Sequence, residues 1–505
     1  MLSRFDLLIL ITYLGTIVGI SVAIARKQRT GDDYFLAARR MRSGVLGCSI
    51  LANQVSAVSL VGAPAFVALR PGGGLRWLQY ELAVPLAMLA IIVFLLPALR
   101  SVPGWSIYRY ADSRFGAGTR RALAAAFLLT RGLSLGVILY ASSLVVSEAL
   151  AISVGTALFA IGIVSVCYTA LGGIAADIWS DVVQLALLWG GTLVAAIYLV
   201  ARHGASLLDA IPNERLQPLI LDASGIGDGA TFAFWPMLLG GFFLYVSYYG
   251  CDQSQAQRIL AADSHASARR ALVWNGLLRF PLTLSYCIFG LLLAGLLTID
   301  PQFAALVDGR PADSLVPIFI TTYLPTGIRG LLIAAILAAA MSSIDSALNS
   351  LAAVTIEDVF DRRSTQSLWL GRLTALGWGL FAMVAGVAVS RSGAGILEII
   401  NQIGSAFYGP VLAVFLLGVL APRVGGRAAV AGLVSGVFAN LALARWAPGV
   451  SWLWWNPAGF SVASLVALLG SRSWFAMPRL EWPRRARAIL VTAFLVMLAI
   501  LVALS

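Results

Sequence analysis

Only two histidines and four cysteines occur in 505 residues, and only 11% of the chain is charged. Each shortage excludes something. His203 and His265 are scattered in separate loops, which leaves little material for hydrolytic or metal chemistry. Cys48, Cys167, Cys251 and Cys287 lie in or beside apolar runs without paired-motif spacing, so they point to packing rather than to a disulfide framework or a zinc site. No convergent nucleophile and base suggests an enzyme, and no cofactor is called for. Against 60% hydrophobic residues, so little charge cannot cover a single aqueous core. The largest loops, 202–230 and 298–327, are too short to be soluble domains.

What is present in abundance is apolar sequence in runs of membrane-crossing length. About 20 such residues span a hydrocarbon core of roughly 30 Å, and helices tolerate that environment because they satisfy their own backbone. Fourteen candidates fall at 5–25, 44–66, 76–98, 122–148, 151–171, 177–201, 231–250, 271–297, 328–356, 369–390, 394–420, 426–444, 452–470 and 487–504. The net charge of +12 is distributed for topology, not for nucleic acid. Of the 35 Arg and Lys, 24 sit in alternate loops, at 26–42, 100–121, 258–270, 362–372, 423–427 and 472–487. The positive-inside bias assigns these loops to the cytoplasm and both termini to the outside. The expected location is a prokaryotic inner (plasma) membrane. The first run is not expected to be a cleaved leader, since its basic cluster "RKQRTGDDYFLAARRMR" follows it.

This alternation has a further consequence. The second span runs from inside to outside, and the seventh, five spans later, runs the opposite way. Two five-helix units of opposite orientation follow, the inverted-repeat logic of secondary transporters, which place their sites where helices are interrupted near the midplane. The expected division is an extra span and loop at 1–43, a first unit at 44–201, an extracellular loop at 202–230, a second unit at 231–420 and extra spans at 421–505. The first span of each unit should be interrupted. The second span carries Asn53, Gln54, Ser56 and Ser59 before Gly62 and Pro64, and the seventh carries the adjacent Gly240 and Gly241. Small residues of this kind also serve ordinary helix packing in membranes.

The ninth span, "LLIAAILAAAMSSIDSALNSLAAVTIEDVF", is the least expected. A carboxylate mid-span costs roughly 3 kcal/mol on the insertion scale, yet Ser342, Ser343, Asp345, Ser346, Asn349 and Ser350 all lie there. Helical spacing puts Ala339, Ser342, Ser343 and Ser346 on one face. A hard monovalent cation wants several oxygen ligands at once, and hydroxyls plus a carbonyl supply part of such a shell. The same spacing also fits a small-residue packing seam. In the sixth span Asp177 reads as a helix cap; Asp181, one turn deeper, reads equally as a cation partner or a hydrogen-bonded group. Embedded aspartates also admit proton coupling. Glu81 opens the third span at the positive end of its dipole, and Arg279, deep in the eighth, requires an anion or a set of carbonyls. Glu398, Asn401 and Gln402 add polar groups to the eleventh.

At these residues the chain resembles the sodium:solute symporter family. "DDYFLAARRM", "SAVSLVGAPA", "GGIAADIWSDVVQ", "YYGCDQSQAQRILAA", "AAAMSSIDSALNSLAAVTIEDVF" and "GPVLAVFLLG" occur in the family's order over about residues 32–420. The resemblance implies an all-α polytopic LeuT-like fold of about 14 transmembrane helices, a 5+5 inverted-repeat core with extra N- and C-terminal helices. It implies import of a small organic solute, of the carboxylate, sugar or amino acid class, coupled to sodium ions. Matched position by position, the main sodium site would use backbone carbonyls of Ala52, Val55 and Ala339 with the hydroxyls of Ser342 and Ser343. A second site found in some members would fall on Asp181, Ser342, Asp345 and Ser346. Asp345 replaces a hydroxyl there, which leaves sodium, a proton or a fixed hydrogen-bonded pair open. Solute contacts would come from Ser56, Glu81, Asp252, Arg279 and Gln402; the sugar-carrying branch has an amide in place of Asp252 and a lysine in place of Arg279. Two alternatives stand beside this reading: a proton-coupled transporter of the same fold, and a non-transporting solute sensor, which would be expected to add a cytoplasmic signalling domain.

Overall fold

Backbone that must satisfy itself in lipid becomes helix, and the described residues contain no β-strand. The computed structural model describes residues 2–361, 368–391, 396–476 and 481–505. The side chain of Cys167, together with Arg362, Arg363 and Arg479 of the basic loops, lies outside the described residues. The principal helices are α1 Arg4–Ala25, α2 Ser43–Gln54, α3 Ala57–Leu69, α4 Gly74–Arg100, α5 Ala117–Leu150, α6 Val154–His203, α7 Gly241–Cys251, α8 Gln253–Leu260, α9 His265–Ile299, α10 Ile328–Val354, α11 Leu368–Val389, α12 Ile396–Leu420, α13 Gly426–Trp446, α14 Trp455–Gly470 and α15 Arg484–Leu504.

Among the described residues, 11 helices are long and apolar enough to cross a membrane, or 12 with the bent pair α2 and α3 counted as one span. The remaining two of the fourteen expected runs are helical but short. The fifth ends as the apolar stretch Val154–Val166, continuous with the sixth span in the 50-residue α6. Gly173 redirects that helix with φ +58°, and a Cβ there would lie 2.7 Å from the Tyr34 carbonyl oxygen, so glycine alone suits the position. The seventh, expected at 231–250, is shortened at its start: residues 231–233 are not helical, and a π-helical turn over Pro236–Gly240 leads into α7.

The second span is interrupted as expected; the seventh is not broken within 231–250, and the chain breaks just beyond it. Between α2 and α3 the chain turns by 56°, with Val55 and Ser56 in extended conformation; the Ser56 hydroxyl accepts the Val58 N–H and caps α3. The second break is not at the glycine pair. It falls at Asp252, which is extended and whose carboxylate caps α8 by accepting the Ser254 N–H. Gly240 and Gly241 instead permit close packing. A Cβ on Gly240 would stand 2.4 Å from the Leu453 carbonyl oxygen, and one on Gly241 would stand 2.8 Å from the Tyr80 ring.

The polar ninth span lies in the centre. In the most apolar stretch of α10, 89% of residues are buried, against 22% in α1 and in α15. Its serines are therefore enclosed by protein, with α5, α6, α11 and α1 packed around it. Cross-links join chain ends assigned to one side of the bilayer: Arg70 with Glu398 at 2.6 Å, and Arg109 with Glu357 at 2.7 Å.

Candidate functional site

The interruption between α2 and α3 faces the serine stripe of α10. Residues in the broken segment have no helical partner for every carbonyl, and the Ser343 hydroxyl donates to the Asn53 carbonyl oxygen at 3.4 Å. Ala52, Val55, Ala339, Ser342 and Ser343 are all buried. Two non-adjacent helices thus bring backbone and hydroxyl oxygens to one buried place, the donor chemistry that a hard cation prefers. Ser343 also lines a cavity of about 90 Å³. At roughly 10–15 Å³ of such space per water, that holds several waters or a small solute.

The cavity wall is polar and only partly satisfied. Ser56 and Arg279 of the expected solute set line it, together with Arg131, Tyr286 and Asn401. Glu81 stands behind Arg279: the guanidinium donates through Nε to Oε2 at 3.0 Å and through Nη2 to Oε1 at 3.3 Å, a two-pronged pair. The Tyr245 hydroxyl adds a bond to Oε1 at 3.3 Å. Asp252 stands behind Arg131 at 3.4 Å, and that guanidinium also lies 5.4 Å from the Tyr248 ring centre. Glu81 and Asp252 thus reach the cavity through their arginine partners, and the half-buried Gln402 is not among the described lining residues although its neighbour Asn401 is. Arg279 Nη1, Arg131 Nε and the Thr283 and Tyr286 hydroxyls are buried without a partner among the described residues. Such groups are costly when left without a partner, and here they surround the cavity.

Next to the serines lies a second polar cluster built around Arg258, wholly buried on α8. Its Nη2 reaches Asp181 Oδ2 at 2.8 Å and Asp177 Oδ2 at 3.1 Å, and also bonds the Ser346 hydroxyl. Its Nε donates to Ser49 at 2.6 Å, and Nη1 to the Ser254 carbonyl oxygen at 2.7 Å. Asp181 further accepts the Ser342 hydroxyl on Oδ1 and the Ser49 hydroxyl on Oδ2. Asp345 is engaged elsewhere, accepting the Thr169 hydroxyl. Of the four members of the expected second site, Asp181 and Ser346 meet at Arg258, Ser342 donates to Asp181, and Asp345 accepts from Thr169, three turns before Asp181 on α6.

Arg131 and Arg258 carry no role in the motif reading. Arg131 is a basic residue inside the fourth expected span, 122–148. Arg258 counts as a loop residue by position, and the signal for it lay elsewhere: Asp177 and Asp181, one turn apart on a buried helix face, require a cation between them.

A family model described as the sodium:solute symporter family matches residues 34–436. The chain is similar to the sodium/sialic acid symporter NanT of Aliivibrio fischeri (strain ATCC 700601 / ES114), 27% identical with 91% of each chain covered. It is similar to the sodium-coupled monocarboxylate transporter 2 of Bos taurus, 29% identical, covering 83% of this chain and 69% of that one. Its fold matches a substrate-bound outward-open structure of a Na+-coupled sialic acid symporter with a TM-score of 0.81 and 24% identity, covering 93% of this chain and 98% of that one.

Proposed function

The chain belongs to the sodium:solute symporter family and is an integral membrane, sodium-coupled solute symporter; from that premise we propose that it imports a small organic monocarboxylate by alternating access. The proposed sodium site is formed by the carbonyls of Ala52, Val55 and Ala339 and the hydroxyls of Ser342 and Ser343. One observation carries the reading: Ser343 belongs at once to the cavity wall and to the contact with the broken α2–α3 backbone. An ion there touches both the moving helix and the solute space, which gives it the differential affinity for two states that coupling requires.

Charge counting supports a monoanion. Arg279 is balanced by Glu81 and Arg131 by Asp252. A sodium ion adds one positive charge to a dry region, and a solute carrying one negative charge restores neutrality, with the free N–H groups of both arginines as its donors. The similar proteins named for sialic acid and monocarboxylate are named for carboxylic acids. The proposed organisation is two inverted units, 44–201 and 231–420, with both termini outside. Arg70–Glu398 then closes the outer end and Arg109–Glu357 the inner end.

Purified carrier in proteoliposomes tests this directly. An inward sodium gradient is expected to drive accumulation of a labelled small carboxylate, while neutral sugars and amino acids are left behind. Accumulation driven by a pH gradient alone would replace sodium with the proton, and uptake restricted to neutral sugars would remove the anion reading. Within the site, Ser343→Ala is expected to raise the sodium concentration for half-maximal uptake several-fold, as loss of one oxygen from a shell of about six does; an unchanged titration removes Ser343 from the shell. At the inner end, the Glu357 carboxylate accepts the Trp105 and Ser106 N–H groups at 2.8 Å each besides pairing with Arg109. Glu357→Ala is expected to open this end, read as faster modification of a cysteine introduced at Ser106; a rate equal to that of the otherwise unaltered carrier refutes the latch.

A further inference from the structure

The Arg258 cluster touches the proposed sodium site at one atom, the hydroxyl oxygen of Ser342. An ionised carboxylate only accepts hydrogen bonds. The direction of the Ser342–Asp181 bond is therefore fixed: the serine proton points to Asp181 Oδ1, and the oxygen's lone pairs are left for another partner. Asp181 cannot turn away from this task. Its Oδ2 is held by Arg258 Nη2 at 2.8 Å and by the Ser49 hydroxyl, from two further helices. The place between Asp181 and Ser346 is taken by Arg258 Nη2, which bonds Asp177, Asp181 and Ser346. The cation of that place is part of the chain.

We propose that Asp181, fixed by Arg258, is a positioning residue of the sodium site: it takes the Ser342 proton and aims that oxygen's lone pairs at a single bound sodium, while the Arg258 guanidinium stands where a second ion would bind. Outer-shell groups that orient metal ligands act in this manner, and losing one costs about 10–100-fold in metal affinity.

This inference rests on the sodium-coupled reading, and binding of radioactive sodium to the purified carrier in lipid nanodiscs separates the two. The unaltered carrier is expected to bind one sodium per chain; absence of saturable binding would defeat the sodium reading itself. Asp181→Asn should weaken binding about 10-fold or more, with the stoichiometry still one, because an amide can donate to Ser342 and no longer dictates where its proton lies. Ser342→Ala should weaken it as well, and the double variant no more than the worse single one, since both act through one oxygen. Additive losses, an unchanged Asp181→Asn isotherm, or a stoichiometry of two falling to one in Asp181→Asn would each overturn the proposal. Should Asp181→Asn fail to fold, Ser49→Ala frees one of the two restraints on Oδ2 and is expected to weaken sodium binding, alone but not on top of Ser342→Ala. A merely structural Asp181 would show no such dependence on Ser342.

Discussion

Arg258→Ala is expected to be the most destructive single substitution in the molecule. It removes a guanidinium that holds Asp177, Asp181, Ser49, Ser346 and the Ser254 carbonyl at once. Taking one partner from a buried ion pair costs about 3–5 kcal/mol, because the remaining charge is left without compensation; here two carboxylates are left in one cluster. The carrier should be recovered in small amounts, with a midpoint of thermal unfolding in detergent well below that of the unaltered protein. Combining it with Asp177→Asn and Asp181→Asn removes the stranded charges and should restore most of the thermal stability while sodium binding stays weak. A triple variant no more stable than Arg258→Ala would show that the cluster holds the fold by shape and not by charge balance. Arg258→Lys is expected to fall between, since one ammonium group cannot reproduce bonds made from three guanidinium nitrogens.

That this residue was hidden from a reading of the sequence has a physical cause. Span counting treats a helix as a uniform rod, so residues past the end of a 20-residue run fall into a loop. A broken helix violates that picture: α7 stops at Cys251, α8 resumes at Gln253, and Arg258 ends up deep in protein though it follows the apolar run. The break between α2 and α3 was legible because carboxamides and hydroxyls stand mid-span, where lipid tolerates neither without a reason. For the seventh span the sequence offered Gly240 and Gly241, with interruption and packing both open, because a glycine pair answers two different demands, backbone freedom and close approach; here it meets the second against Leu453 and Tyr80. The stripe Ala339, Ser342, Ser343 and Ser346 was readable from periodicity alone, since a face is a property of spacing. Periodicity does not say which neighbour each hydroxyl meets. Ser342 turns to Asp181, Ser343 to the Asn53 carbonyl and Ser346 to Asp177 and Arg258, and those partners come from three different elements.

The Glu81–Arg279 pair separates fold from transport most sharply. Arg279→Leu leaves Glu81 buried with the Tyr245 hydroxyl as its one donor among the described residues, and is expected to lower stability by about 3–5 kcal/mol. Uptake should be lost with it, because the free Nη1 on the cavity wall disappears. Either loss alone would be ambiguous. In the double variant Glu81→Leu with Arg279→Leu the charges vanish together, and replacing a buried ion pair by apolar residues of similar volume is neutral or stabilising in many proteins. Thermal stability should therefore return to near that of the unaltered carrier. Uptake should not, if Arg279 serves the solute; a double variant that transports the carboxylate at the normal rate would reduce the pair to a structural strut. Arg131 supplies the complementary measurement. Its partner Asp252 also caps α8, so Arg131→Leu disturbs the second break as well as the cavity, whereas the Arg279 pair joins α4 to α9 and leaves both breaks untouched. Loss of solute binding with sodium binding retained is therefore expected for the Glu81–Arg279 double variant. Loss of both is expected for Arg131→Leu, because the α7–α8 junction it supports also carries the α8 segment bearing Arg258.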